Sequence, residues 1–109
     1  MSRVTVGALR HRLVLESATR TADGGGGAAE TWASVTELWA MIRPLSGDER
    51  VAADGPAGRV SHEILIRYRT GVGPAMRFRL GSRLFEIRAV LDVGERRRRL
   101  SCLCEERDL

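Results

Sequence analysis

Apolar and polar side chains alternate in short blocks along most of this chain, and the clearest blocks lie near its C-terminus. Over residues 76–80 Met76, Phe78 and Leu80 alternate with Arg77 and Arg79, and over 85–91 Phe85, Ile87, Ala89 and Leu91 alternate with Glu86, Arg88 and Val90. A period of two sends successive side chains to opposite faces of a strand, so each block predicts a strand with one apolar face. Between them, Leu80-Gly81-Ser82-Arg83 puts glycine at the first central position of a two-residue turn, where a type II′ hairpin needs positive φ. A third block, 98–104, places Leu100, Cys102 and Cys104 on one face and Arg99, Ser101 and Leu103 on the other, after a connection holding Gly94 and charged residues. The three blocks predict an antiparallel meander with one apolar side.

Three more alternating blocks precede it. Residues 11–17 set Arg12, Val14 and Glu16 against Leu13 and Leu15. Residues 32–45 form the most hydrophobic stretch, with Leu38, Ala40 and Ile42 on one face and Trp39 and Met41 on the other. A strand apolar on both faces must be covered twice. It is either a central strand beneath the short helix or a loop, or a strand whose second face meets another subunit. Pro44 ends it, having no N–H for the ladder. Residues 60–69 set His62, Ile64, Ile66 and Tyr68 against Glu63, Leu65, Arg67 and Arg69.

Two segments break the pattern. Residues 18–30 carry Gly24, Gly25, Gly26 and Gly27 and are expected to form a flexible hairpin loop. Residues 46–59 predict one or two helical turns starting at Ser46 or Gly47, with Asp48 and Glu49 at the positive end of the helix dipole and Asp54-Gly55-Pro56-Ala57-Gly58 as the stop. The sum is an all-β, mainly antiparallel chain: a small six-stranded β-barrel or sandwich with one short helix in an inter-strand insert. At 109 residues it makes a single domain, 1–109.

Composition narrows the chemistry. All 18 Lys+Arg residues are arginine, net charge is +4 and the pI is near 10.4. That balance permits contact with nucleic acid or an acidic partner, although the 14 acidic residues are spread among the arginines as on a mixed surface. Arg96, Arg97, Arg98 and Arg99 are the densest run: a polyanion contact, an inter-subunit contact or a solvated hairpin tip. Few aromatics remain for stacking on bases, since Phe78 and Phe85 fall on the core face and leave Tyr68, Trp32 and Trp39. Cys102 and Cys104, two apart on one strand face, are expected as buried reduced thiols rather than a disulfide or a metal site.

The four glycines lack the lysine of a phosphate-binding P-loop. Ser61-His62-Glu63 holds three catalytic residue types, but strand neighbours point to opposite faces and form no triad among themselves. With no carboxylate pair, ligand array or nucleotide fingerprint, the expectation is a non-enzyme with no catalytic residues, cofactor or metal. The opening MSRVTVGALRHR lacks the apolar core of a secretory signal, and no apolar run is long enough for a membrane span, so a soluble cytoplasmic protein is expected.

The segments GALRHRLVLE, TWASVTELWAMIRPLSGDE, SHEILIRYRTGV and MRFRLGSRLFEIRAVLDVGERRRRLSCLCEE, in this order and spacing, resemble the phage head-tail joining family, the head-closure or stopper proteins of tailed-phage connectors. The resemblance implies a structural neck protein of a tailed phage, a prophage or a gene transfer particle. Such a protein forms a homo-oligomeric ring, expected as a hexamer, between the portal-adaptor ring above and the tail terminator or tail ring below. It encircles packaged double-stranded DNA and helps retain it. The expected locations are the bacterial cytoplasm during assembly, then the particle neck, with no membrane contact.

Within that family residues 1–10 correspond to an N-terminal arm and 46–59 to a variable insert that projects toward the channel, with Asp48, Glu49, Arg50 and Arg59 as its gate residues. Gly24 to Gly27 would meet a partner ring, and Trp39 and Met41 a neighbouring subunit. The rival expectation is a monomeric basic small-barrel module that binds nucleic acid directly.

Overall fold

The computed structural model describes residues 9–22, 24, 28–49 and 59–108. Six strands, β1 (His11–Ala22), β2 (Ala28–Pro44), β3 (His62–Arg67), β4 (Met76–Leu80), β5 (Arg83–Asp92) and β6 (Arg99–Asp108), pair antiparallel into a closed barrel in the order β1-β2-β3-β6-β5-β4. Closure comes from β1 against β4, running from Val14 opposite Arg79 to Ser17 opposite Met76. The last strand, β6, lies between β3 and β5.

The barrel is filled by the inward face of each strand. Leu13 and Leu15, Ala40, Ile64 and Ile66, Phe78, Phe85 and Ile87, and Leu100, Cys102 and Cys104 form one buried cluster, with Leu38, Ile42, Val72, Met76, Leu80 and Val90 packed around it. These are the apolar phases of the alternating blocks, which is how a period of two becomes a closed core. The β4–β5 turn is as expected: Leu80 pairs with Arg83, Gly81 has φ of 60°, and Ser82 does not share the positive φ, the signature of type II′.

Three departures from simple alternation have physical causes. Between Ile87 and Ala89 the β5–β6 register shifts, so that Ile87 lies opposite Cys104 and Val90 opposite Cys102. The extra residue reverses the inward phase: Val90 packs on the core, and Leu91, expected on the apolar face with Ala89, is exposed. A second shift, between Leu15 and Glu16, lies within Val14 to Ser17, where β1 serves β4 as well as β2.

The segment 18–30, expected as loop, is mostly strand. β1 runs to Ala22 and β2 starts at Ala28, in continuous register from Ser17–Ala33 to Ala22–Ala28. This two-stranded ribbon extends past the barrel wall, where no core lies beneath it and polar and small residues carry no apolar alternation. Between the two strands Gly24 is exposed with φ of 82°, and Asp23 and Gly25 to Gly27 lie outside the described residues.

The third departure is at β3, which is shorter than expected. It ends at Arg67, leaving Tyr68 exposed rather than inward, while Leu65 on the opposite face is buried. Leu65 pairs with Ser101, and both, with Leu45 and Val60, are buried outside the main cluster.

Outside the barrel Glu16 organises a polar cluster. It is nearly buried, accepts from Arg77 Nε at 2.7 Å and Arg79 Nε at 3.0 Å, and the Arg77 guanidinium lies 3.9 Å from the centre of the Trp32 ring. The barrel-closing pair β1–β4 is thereby tied by charge on its outer face as well as by Leu15 and Phe78 within.

Candidate functional site

Ser46 caps the helical turn that opens the insert. Residues 47–49 are helical, the Glu49 N–H donates to Ser46 Oγ at 3.3 Å, and the Ser46 N–H donates to Glu49 Oε1 at 3.0 Å. This reciprocal pair is a capping box, written in the sequence as Ser-x-x-Glu. Glu49 also accepts from Arg43 Nη1 at 2.6 Å, and Arg43 Nε donates to Glu63 Oε1 at 3.1 Å. The Ser46 N–H and Arg43 together hold the Glu49 carboxyl down to about 2, and the bond to Glu49 raises Arg43. Ser101 Oγ donates to the other oxygen of Glu63 at 2.5 Å. The root of the insert is therefore pinned through β2 and β3 to β6. Of the expected gate residues, Asp48 and Arg59 are exposed and Glu49 faces Arg43, and Arg50 lies outside the described residues, as do 51–58 and residues 1–8 of the arm.

Ser61 and His62 do touch, contrary to expectation, because Ser61 precedes β3 and is not bound by strand alternation. Ser61 Oγ lies 2.8 Å from His62 Nδ1, and His62 Nε2 lies 3.7 Å from Glu106 Oε1. The outline of a Ser-His-acid array ends there. Ser61 Oγ accepts the Glu106 N–H at 2.9 Å, Arg83 grips Glu106 through Nε and Nη2 at 2.7 and 3.1 Å, and the His62 ring is set edge-on against Phe85 at 5.3 Å. The hydroxyl is engaged as a clamp between β3 and β6. Glu63 points the other way, to Arg43 and Ser101.

Cys102 and Cys104 are free thiols with no exposed surface. Burial pushes both up, Cys102 to about 12 with help from Glu63, and Cys104 with help from Cys102. Among the described residues no three His, Cys, Asp or Glu side chains gather as a metal site, and no helix is long and apolar enough to cross a membrane.

Two surfaces remain. Where β2 parts from β3 beyond the Ala40–Ile66 pair, a cavity of about 530 Å³ opens between Leu9, Leu38, Trp39, Ile66, Arg67, Tyr68 and Arg69. Trp39 on its rim is 52% exposed, with Arg12 over its ring at 5.7 Å, whereas Met41 is half-buried. From Ala28 to Trp39 the edge of β2 away from β1 has no strand partner among the described residues. The second surface is the barrel end where β3 finishes and β6 begins. Arg96, Arg97 and Arg98 are exposed, and Arg99 stands opposite Arg67 across the β3–β6 ladder.

These features belong to a small closed antiparallel barrel with a filled interior, an insert whose root at Ser46 and Glu49 is tied to β2, and an arginine-rich end. The chain belongs to the phage head completion protein family, whose model matches residues 4–107. It is similar to a protein of Shigella flexneri 2a known from its solution structure: 28% identity, 94% of this chain and 96% of that one covered, TM-score 0.72. It is likewise similar to a chain in the virion of a native gene transfer agent particle: 35% identity, 93% and 97% covered, TM-score 0.69. No curated protein matches it.

Proposed function

We propose that this chain is a structural head-closure subunit that forms a ring between the portal-adaptor assembly and the tail of a phage or gene transfer particle and helps retain packaged DNA. The observation that carries this reading is the match, over nearly the full length of both chains, to a component of a native gene transfer agent virion. Architecture agrees with it. The interior is filled by Phe78, Phe85, the two cysteines and their neighbours, and the ring contacts are made by the outer surface.

In the ring, expected as a hexamer, subunits meet heterologously, one surface against a different surface of the next. Trp39 and the cavity beside it supply one of these, with Met41 behind it on β2. The ribbon tip at Gly24 to Gly27 and the N-terminal arm reach the adaptor or tail rings. The insert, 46–59, faces the channel with Asp48, Glu49, Arg50 and Arg59 as its gate residues, and its root is held by Ser46, Glu49 and Arg43. The chain performs no catalysis. Assembly starts in the bacterial cytoplasm and ends in the neck.

Electron microscopy of assembled particles tests this. The expected result is a ring of this subunit between adaptor and tail with 46–59 near the axis. Density for the subunit elsewhere, or none in the neck, would overturn it.

A further inference from the structure

Most of the described arginines on the barrel wall are matched to carboxylates, while Arg20, on the β1–β2 ribbon, is exposed with no ion pair among the described residues. Arg12 pairs with Glu37, Arg43 with Glu49 and Glu63, Arg77 and Arg79 with Glu16, Arg83 with Glu106, and Arg88 and Arg107 with Glu86 and Glu105. Arg67, Arg96, Arg97, Arg98 and Arg99 have no such partner among the described residues, and Arg69 only donates to the neighbouring Thr70 carbonyl. All of these stand at one end of the barrel, where the Tyr68 N–H donates to the Arg98 carbonyl and joins the two stretches. We propose that this end is a binding surface for the phosphates of double-helical DNA. The proposal rests on the charge distribution and not on the neck reading.

Two features of this end cost stability. Arg67 and Arg99 are directly opposed across the ladder, where like charges repel. Glu95 and Arg97 both hold φ of 56°, a left-handed backbone unfavourable for side chains other than glycine. The loop is nonetheless set in place: both carboxylate oxygens of Asp92 accept the Arg97 N–H, at 3.0 and 3.1 Å. It holds Arg96, Arg98 and Arg99 around a hollow of about 410 Å³ floored by Val93 and Gly94. Among the described residues of this loop two carboxylates, Asp92 and the exposed Glu95, stand against Arg96 to Arg99, Arg67 and Arg69.

Guanidinium groups fit phosphate oxygens bidentately, and a duplex offers closely spaced phosphates along each strand. Among the described residues Tyr68 and, on the rim of the adjoining cavity, Trp39 are the exposed aromatics near this end; six arginines outnumber them, so the backbone of a duplex is the ligand this surface suits.

The experiment is fluorescence anisotropy of the full chain with a labelled mixed-sequence DNA duplex across a salt titration. Binding is expected to weaken linearly in log–log form. A triple variant, Arg96→Gln, Arg98→Gln and Arg99→Gln, should lower the magnitude of the slope by about 2 to 3, at ~0.9 per lost phosphate contact. Arg107→Gln, on the paired side, should lower it by less than about 1 on the same scale. The triple variant should keep a urea midpoint equal to or above that of the parent, because it relieves the Arg67–Arg99 repulsion. Equal slopes in parent and triple variant, or no salt-sensitive binding by the parent at low salt, would overturn the proposal. So would a triple variant that binds DNA normally yet fails to enter particles, which would assign these arginines to an acidic partner protein. A subunit found in the neck that shows no DNA binding leaves the neck reading standing and this one refuted.

Discussion

Alkaline pH should unfold this protein through its two cysteines, and the size of the effect can be worked out. Cys102 and Cys104 have no exposed surface, and their thiols are held neutral by burial, Cys102 up to about 12. An unfolded thiol ionises near pH 8.5 to 9. Above that pH the unfolded chain gives up protons that the native chain keeps. The unfolded state then binds fewer protons, and stability must fall as pH rises until the folded value is reached. Each thiol removes about 1.4 kcal/mol per pH unit, so two thiols between about pH 9 and 10.5 remove about 4 kcal/mol, a large part of the 5–15 kcal/mol typical of a domain.

The chain is a clean subject because it has no lysine and a single tyrosine, so little else titrates there. Urea unfolding followed by circular dichroism at steps between about pH 7.5 and 10.5 measures the slope. The double variant Cys102→Ala, Cys104→Ala should be less stable at neutral pH, from lost volume, but nearly flat across this range. A parent chain equally stable at both ends of the range would refute the reasoning, since its thiols would then ionise in the native barrel.

Four other outcomes are expected. Glu16→Ala should cost about 2 to 4 kcal/mol in urea unfolding, below the full cost of breaking a buried pair because Arg79 is partly solvated; a loss below about 0.5 kcal/mol would make the cluster incidental. Gly81→Ala, placed at φ of 60°, should cost about 1 kcal/mol by the same assay, and no cost would mean that the turn is not type II′. Trp39→Ala should leave monomer stability within about 1 kcal/mol of the parent while lowering incorporation into particles, seen by sedimentation; simple unfolding would return the residue to the core. Arg50→Glu should leave the circular dichroism spectrum unchanged and reduce the packaged DNA retained by particles; normal retention would remove the insert from the gate.

Legibility followed the core. Wherever a strand has barrel on one side and water on the other, its side chains had to alternate, and β3, β4 and β6 could be read off Ile64 and Ile66, Phe78, and Leu100 to Cys104. The Gly81 turn was legible because a two-residue hairpin admits few residues. The ribbon 18–22 with 28–31 was not, since its strands pair with each other beyond the core and polarity carries no record of it. The bulge after Ile87 was hidden for a related reason: Ala89, Val90 and Leu91 are all apolar, so the change of phase leaves no polar mark.

In the candidate site, the capping box at Ser46 was spelled out locally. The closure of β1 on β4 and the gathering of Glu16 with Arg77 and Arg79 depend on residues some sixty positions apart, and the hint was only that a lone carboxylate on one strand suits two same-face arginines on another. The separation of paired from bare arginines is a property of the folded surface, invisible in a sequence where acids and arginines are mixed.

The position of β6 has a consequence for how the protein is made. β6 is the strand that β3 and β5 both need as a neighbour, and it is made after both of them. At about 5 to 20 residues per second, the roughly 40 residues from the end of β3 to the end of β6 take about 2 to 8 s, during which the outer edge of β3 has nothing to pair with. A chain stopped short of β6 would be a five-stranded open sheet with bare edges at β3 and β5, the kind of surface that recruits other chains. Synthesis of β6 is thus itself the step that joins the two halves of the sheet, and until then the edges of β3 and β5 stand ready to pair with other chains.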